Sequence, residues 1–307
     1  MLPPYFLKGA LEKMRELVFN IADEHDGKQA YHYLRYCEHF SYALIVKMRH
    51  TENSLLLDGV PIRTIDRIKA GSVLKAYIPE GESYFTPNPD LKIDMLYEDE
   101  DIVVFDKPVN MPVHPSKNHQ TDTVANYCAA KYGNAKFHVV GRLDMDTSGI
   151  IVIGKHSHSA AVLTKNGGEK EYIAIVEGKL EEPSGTIDLP IDDSDPAVHK
   201  SFIAETGQPS VTEYETIATN DVLTAVRVRP KTGRTHQIRV HFAYIGHPLC
   251  GDELYGGSLE YIGRQALHRG KMIFEHPING TVLKFESPLP DDMQKLLEKI
   301  EKGSDEE

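Results

Sequence analysis

A chain of 307 residues with 40% hydrophobic and 8% aromatic content can bury a sizeable core and is long enough for two domains. No apolar run approaches the roughly 20 residues a membrane helix needs, and Met1 to Lys13 lacks the features of a secretory signal, so a cytoplasmic protein without a membrane partner is expected. The net charge of -12 argues against non-specific nucleic-acid binding, and Cys37, Cys128 and Cys250 lack the spacing of a disulfide framework or a zinc site.

Leu17 to Ile21 reads either as a first strand, the preferred reading, or as the end of a helix beginning near Gly9. Lys28 to Arg49 fits two short helices separated near His39 to Ser41, with Ser41 as N-cap. Leu55 to Ile62 is a hairpin turning at Asp58-Gly59, and Gly71 to Ile78 a closing strand. Residues 81–92, with Pro87 and Pro89 and no periodicity, read as a linker between a domain over 1–80 and a second over 93–307. Beyond it strands are expected at Asp101 to Asp106, Phe137 to Val140, Ile150 to Ile153, Tyr172 to Glu177, Leu223 to Arg229, Met272 to Phe274 and Val282 to Phe285. Helical patterns span Thr123 to Tyr132, ending at Gly133, and Thr235 to Tyr244, ending at Gly246. Many strands with few helices predict an α+β domain around a largely antiparallel sheet.

Two segments carry chemistry. Gly141-Arg142-Leu143-Asp144-Met145-Asp146-Thr147-Ser148-Gly149 holds Asp144 in a polar turn between two strands. A functional carboxylate suits that position, and so does an aspartate that merely caps the turn beside Thr147, Ser148 and Gly149. The second segment is Lys231-Thr232-Gly233-Arg234-Thr235-His236-Gln237-Ile238-Arg239-Val240-His241. Between Arg227 and His241 it has Arg227, Arg229, Lys231, Arg234 and Arg239 and no acid, so an acidic body with a basic groove is expected, suited to a specific RNA.

Together these segments resemble the RluA-type family of RNA pseudouridine synthases, whose signatures run R-L-D-x-x-T-S-G and T-G-R-x-H-Q-I-R-x-H. The resemblance extends through Phe105-Asp106-Lys107-Pro108, Met111 to Pro115, Lys170-Glu171-Tyr172, Gly251-Asp252 and Ala266-Leu267-His268, so it spans roughly residues 95 to 290 in the family's order. The family usually has His before Arg-Leu-Asp, and here Gly141 stands there, which bears on the turn's conformation more than on its chemistry. The pattern of residues 1–80 resembles the alpha-L RNA-binding motif of a ribosomal protein, a role favoured by Lys28, Arg35, Lys47, Arg49, Arg63, Arg67 and Lys69; a small α+β cap without an RNA role is the alternative.

The resemblance implies a pseudouridine synthase fold and an isomerase that turns uridine into pseudouridine, without cofactor or metal. Asp144 is the implied carboxylate, either attacking the sugar or stabilising its cation, with Asp146 structural. Arg239 is expected to pair with it in bidentate fashion, the alternative being a structural ion pair. Tyr172 is expected to stack on the uracil and to remove the proton from the reacting carbon, or else to be a core tyrosine. Arg142 is expected to fill the gap left by a flipped nucleotide. Lys107, Thr147, Ser148, Arg234, His236 and Gln237 are expected RNA contacts. Large-subunit ribosomal RNA is the expected partner, transfer RNA a second possibility, and a monomer the expected state.

Two other leads fail. Gly149 to Lys155 has phosphate-loop spacing, but its interior is β-branched and His156 follows the Lys. The 15 histidines show no H-E-x-x-H or paired Cys/His spacing. A metal-dependent hydrolase would be inhibited by chelators, and a non-catalytic RNA-binding factor would have no need of Asp144, Tyr172 and Arg239 together.

Overall fold

The structure, a computed structural model, describes residues 14–193 and 200–304. A helix beginning near Gly9 would lie outside them. Arg15–Asn20 (β1), Leu55–Leu57 (β2), Val60–Pro61 (β3) and Val73–Ile78 (β4) form an antiparallel sheet in the order β1-β4-β2-β3. Asp58 and Gly59 both take positive φ (50° and 81°), the backbone of a two-residue hairpin whose twist matches its strands. The first helix, Ala30–His32, continues in π geometry over Tyr33–Cys37. His39 (φ 59°) breaks the chain, and Ser41 then caps Tyr42–Arg49 by accepting from the Leu44 N–H at 3.1 Å. These helices bury Leu34, Phe40 and Ile45 completely against Leu74, Ala76 and Ile78, so this unit has its own core. The segment after it is no free tether: Ser83 N donates to Asn134 O (3.0 Å), and Asn126 Nδ2 donates to Thr86 O (2.8 Å).

The second unit is a ten-stranded sheet. Its members are Asp94–Glu98 (β5), Ile102–Lys107 (β6), His138–Val140 (β7), Ser148–Gly154 (β8), Glu169–Glu177 (β9) and Ser184–Asp188 (β10). A separate ribbon of Ile191–Asp192 (β11) and Phe202–Ile203 (β12) precedes Val211–Thr219 (β13), Leu223–Pro230 (β14), Leu267–Glu275 (β15) and Val282–Glu286 (β16). The order is β10-β13-β14-β9-β15-β8-β6-β5, with β16 on β15 and β7 on β8. All its pairings are antiparallel except β8 with β15, at Ser148 with His268 and Gly149 with Arg269. The α+β, largely antiparallel fold therefore stands as expected.

The unbroken apolar runs of β6 and β8 follow from burial on both faces. Val103, Phe105, Ile151 and Ile153 join a core beneath the helices Val124–Tyr132 and Gln237–Tyr244. Ile102, Val104, Ile150 and Val152 point the other way, to Leu163 of the helix Ser157–Asn166. That helix, the amphipathic C-terminal helix Asp291–Ser304 and the strands β5, β10 and β13 add to the elements anticipated. The helix expected from Thr235 starts at Gln237, because His236 takes a left-handed conformation (φ 53°).

Polar clasps join the two units. Arg15 donates from Nε and Nη2 to the two Asp101 oxygens (2.7 and 3.2 Å), and Glu80 accepts from Ser157 N (2.6 Å) and contacts His138 Nε2 (3.0 Å). His156 Nδ1 accepts from Ser159 N, so its Nε2 carries the hydrogen donated to Asp101 at 2.9 Å. His158 lies beside Phe40, ring centroids 4.2 Å apart, with Nδ1 buried and without a partner among the described residues. Burial pushes its pKa from 6.5 down to about 3.

Since the unfolded chain binds the His158 proton below pH 6.5 and the folded chain does so only near 3, stability is full above 6.5 and falls on acidification. Urea denaturation should show His158→Leu losing about 2 kcal/mol less than wild type between pH 7 and pH 5; equal losses would contradict this. A second prediction concerns Gly149 (φ +109°), where a Cβ would stand 2.3 Å from Arg269 O. Gly149→Ala should lower stability by about 2–4 kcal/mol, read as a lower urea midpoint at unchanged slope.

Candidate active site

The turn between β7 and β8 is held from below. Lys107 is fully buried and donates from Nζ to the carbonyls of Pro108, Met111 and Met145 at 2.7, 2.9 and 2.9 Å. Burial pushes its pKa down to about 7, while three acceptors suit an ammonium with three N–H groups. Lys107 is thus a brace under the turn and is corrected from an RNA contact. Ser148 is corrected likewise: it is buried, and its hydroxyl meets His268 Nδ1 at 2.9 Å. Thr147 lines the cavity but is 2% exposed, its hydroxyl reached by Gln265 Nε2 at 3.4 Å. Gly141 adopts φ +69°, so glycine suits the place where the family usually has His.

The turn presents Asp144 to a cavity of about 540 Å³, within the range of small-ligand sites. Arg239, in the first turn of its helix, donates from Nη1 to Asp144 Oδ2 at 2.9 Å. Its bidentate partner, however, is Asp252, with Nε to Oδ2 at 2.6 Å and Nη2 to Oδ1 at 2.7 Å. The fork therefore anchors to a fully buried carboxylate and offers an Nη1 N–H to Asp144, whose side chain is 30% exposed. Burial alone would lower the Arg239 pKa, but the bonds to Asp252 and the charges of both aspartates raise it.

The Arg239 guanidinium lies over the Tyr255 ring, 5.1 Å from its centroid, and Tyr255 Oη meets His236 Nδ1 at 2.9 Å. His236 Nε2 is 3.7 Å from Asp144 Oδ2, and burial holds the imidazole below its usual pKa despite Asp144. Gln237 is corrected as an RNA contact. Its Oε1 accepts from Thr232 Oγ1 and Arg234 N, and its Nε2 donates to Val211 O and Thr212 Oγ1, all between 2.8 and 3.0 Å. It shapes the loop that carries Arg234, which is exposed at the cavity as Arg142 is.

Tyr172, on β9, is 7% exposed, belongs to the main core and lines the cavity, so it has features of both readings. Its Oη accepts from Arg269 Nε at 2.7 Å. Arg269 and Asp252 are the contributors that sequence reasoning missed; an arginine inside the strand Leu267–Glu275 and an aspartate inside a recognised block were the available signals.

The basic groove expected between Arg227 and His241 is narrower than the run of charges. Arg227 and Arg229 on β14 pair with Glu171 of β9 at 3.1 and 2.9 Å, and Lys231 pairs with Glu213 of β13 at 2.7 Å. Among the described residues the cavity itself is lined by Arg142, Lys170, Arg234, Arg239 and Arg269, and by one carboxylate, Asp144. Burial and the Arg269 charge lower the Lys170 pKa. Asp99, Asp101 and His276 lie within 4.8 Å of one another elsewhere, but Arg15 already grips Asp101. There His276 Nδ1 accepts from Ile278 N and Asn279 N, so its Nε2 hydrogen faces Asp99 and no ring lone pair is left for a cation.

Residues 101–244 match the family model described as RNA pseudouridylate synthase. The chain is 37% identical to the RNA pseudouridine synthase YjbO of Bacillus subtilis, covering 83% of this chain and 93% of that protein. It is 35% identical to ribosomal large subunit pseudouridine synthase D of Pseudomonas aeruginosa, over 80% of this chain and 83% of that one. Among solved structures, human RNA pseudouridylate synthase domain containing 1 superposes with a TM-score of 0.55 at 21% identity, covering 71% of this chain and 98% of that one, a likeness of fold. With that fold, and relatives of this identity aligned across most of their length, the chain belongs to the RNA pseudouridine synthases, a family of isomerases.

Proposed function

We propose that the protein converts specific uridines of large-subunit ribosomal RNA to pseudouridine, with Asp144 as the reacting carboxylate. The observation that carries this reading is the cavity's charge pattern: among the described residues Asp144 is the one carboxylate beside five cationic side chains, in a chain of net charge -12. Cations there suit a phosphate-bearing substrate. Isomerisation breaks the bond from the sugar to N1 and forms one to C5; the C5 proton leaves and N1 gains a proton, so no oxidant, reductant or external energy is consumed. Asp144 attacks the sugar or stabilises its cationic character, held by Arg239. Tyr172 meets the uracil. Arg142 is suited to stacking where the nucleotide leaves its neighbours.

The choice of ribosomal RNA rests on the name of the Pseudomonas aeruginosa relative and on the small unit over 1–80, which we take as an RNA-binding domain of alpha-L type joined by residues 81–92 to a catalytic domain over 93–307. Transfer RNA is the competing substrate.

Tritium release from RNA labelled at C5 of uridine tests this directly. Wild type should release label from large-subunit ribosomal RNA, and Asp144→Asn should lower the rate by at least about 10³-fold at similar RNA affinity. Release from bulk transfer RNA alone would replace the substrate, and no release from either by folded, RNA-binding protein would favour a non-catalytic factor. Arg234→Ala should weaken binding and reduce the slope of log affinity against log salt by about 1; an unchanged slope would remove Arg234 from the phosphate contacts.

A further inference from the structure

Arg269 is 2% exposed, and no carboxylate lies within ion-pair distance of it among the described residues. A buried guanidinium without a counter-ion is costly unless its N–H groups are all used. Here four of the five are directed at oxygens of the cavity's tyrosine and of the Asp144 turn with its flanking strand. Nε donates to Tyr172 Oη at 2.7 Å; Nη1 donates to Gly141 O at 3.3 Å and Ile150 O at 3.1 Å; Nη2 donates to Arg142 O at 3.4 Å. One side of the fork thus grips the cavity's tyrosine, and the other grips the backbone at both ends of the turn that carries Asp144.

The backbone of Arg269 is equally constrained. It pairs with Gly149 in the parallel contact of β8 and β15, so close that no side chain fits at position 149. The guanidinium therefore springs from a point fixed to the end of the Asp144 turn and reaches across to β9. By donating to Tyr172 Oη it occupies one side of the phenol oxygen, which turns the hydroxyl hydrogen away from the guanidinium.

We propose that Arg269 is a positioning residue for the isomerisation, acting through Tyr172. It sets the distance and hydroxyl orientation of the tyrosine relative to the Asp144 turn, so that both side chains meet the same nucleotide. This rests on the reading above that Tyr172 meets the uracil. A mere stabiliser of the turn would serve as well beside phenylalanine, whereas a residue acting through the hydroxyl would not.

The test is a double-mutant cycle in single-turnover kinetics, following tritium release at saturating enzyme for wild type, Arg269→Lys, Tyr172→Phe and the double variant. RNA affinity and thermal midpoint are measured for each. Arg269→Lys should slow the step by about 10- to 100-fold, with RNA affinity within about twofold of wild type. In the Tyr172→Phe background the same change should cost no more than about threefold. Equal losses in the two backgrounds would overturn the proposal. A Tyr172→Phe rate equal to wild type would also overturn it, because the hydroxyl would then have no role, whereas a wild-type rate for Tyr172→Ala would overturn the reading of Tyr172 itself. Should Arg269→Lys melt below the assay temperature, Arg269→Gln is carried through the same cycle with the same expectation, and all rates are read below the lowest midpoint.

Discussion

The site depends on a guanidinium that is held twice. Arg239 spends its fork on Asp252, which is fully buried, and only then meets Asp144, which faces the cavity. Removing one member of a buried pair is expensive, about 3–5 kcal/mol, because the other is left charged in a poor solvent. The bidentate arm therefore fixes Arg239 whether or not Asp144 is engaged, and the third N–H becomes a preset donor rather than a mobile one. The site therefore keeps its shape independently of what Asp144 contacts. The left-handed His236 ahead of the helix and the Tyr255 ring under the guanidinium complete this frame.

Much of this was legible in the sequence, for reasons that differ between elements. The apolar run Ile150 to Ile153 announces a strand because both faces of β8 are buried, and Ser41, Thr123 and Gly133 mark helix ends because orphan backbone groups need partners there. The short motif around Asp144 locates the carboxylate because a turn between rigid strands leaves few places for it. Depth is less legible. Lys107, Ser148 and Gln237 sit in motifs full of functional residues, yet all three hold the loops that present such residues. A motif therefore holds braces as well as residues that face the cavity.

Cross-strand pairing was also out of reach. Arg227, Arg229 and Lys231 look like a basic groove along the chain, but their neutralising acids, Glu171, Glu213 and Glu215, belong to the neighbouring strands β9 and β13. Two residues apart on a strand means the same face, and the acids are found by register and not by sequence distance. Asp252 was missed for a similar reason: it reaches Arg239 from a separate loop, 13 positions later.

The clasps between the small unit and the sheet make the molecule a caliper rather than a pair of tethered hands. Arg15 on Asp101, Glu80 on Ser157 and His138, and Phe40 against His158 tie the small unit to the large one at separate points. The two histidine caps next to the clasp, His156 and His276, keep their Nδ1 lone pairs engaged by backbone N–H groups, which sets their tautomers. Anything gripped by the small unit is thereby presented at a fixed distance and angle from the cavity. Selectivity built this way resides in the spacing between two points on a folded partner as much as in the sequence around either of them. A longer connecting segment would change that spacing little unless the clasps were lost.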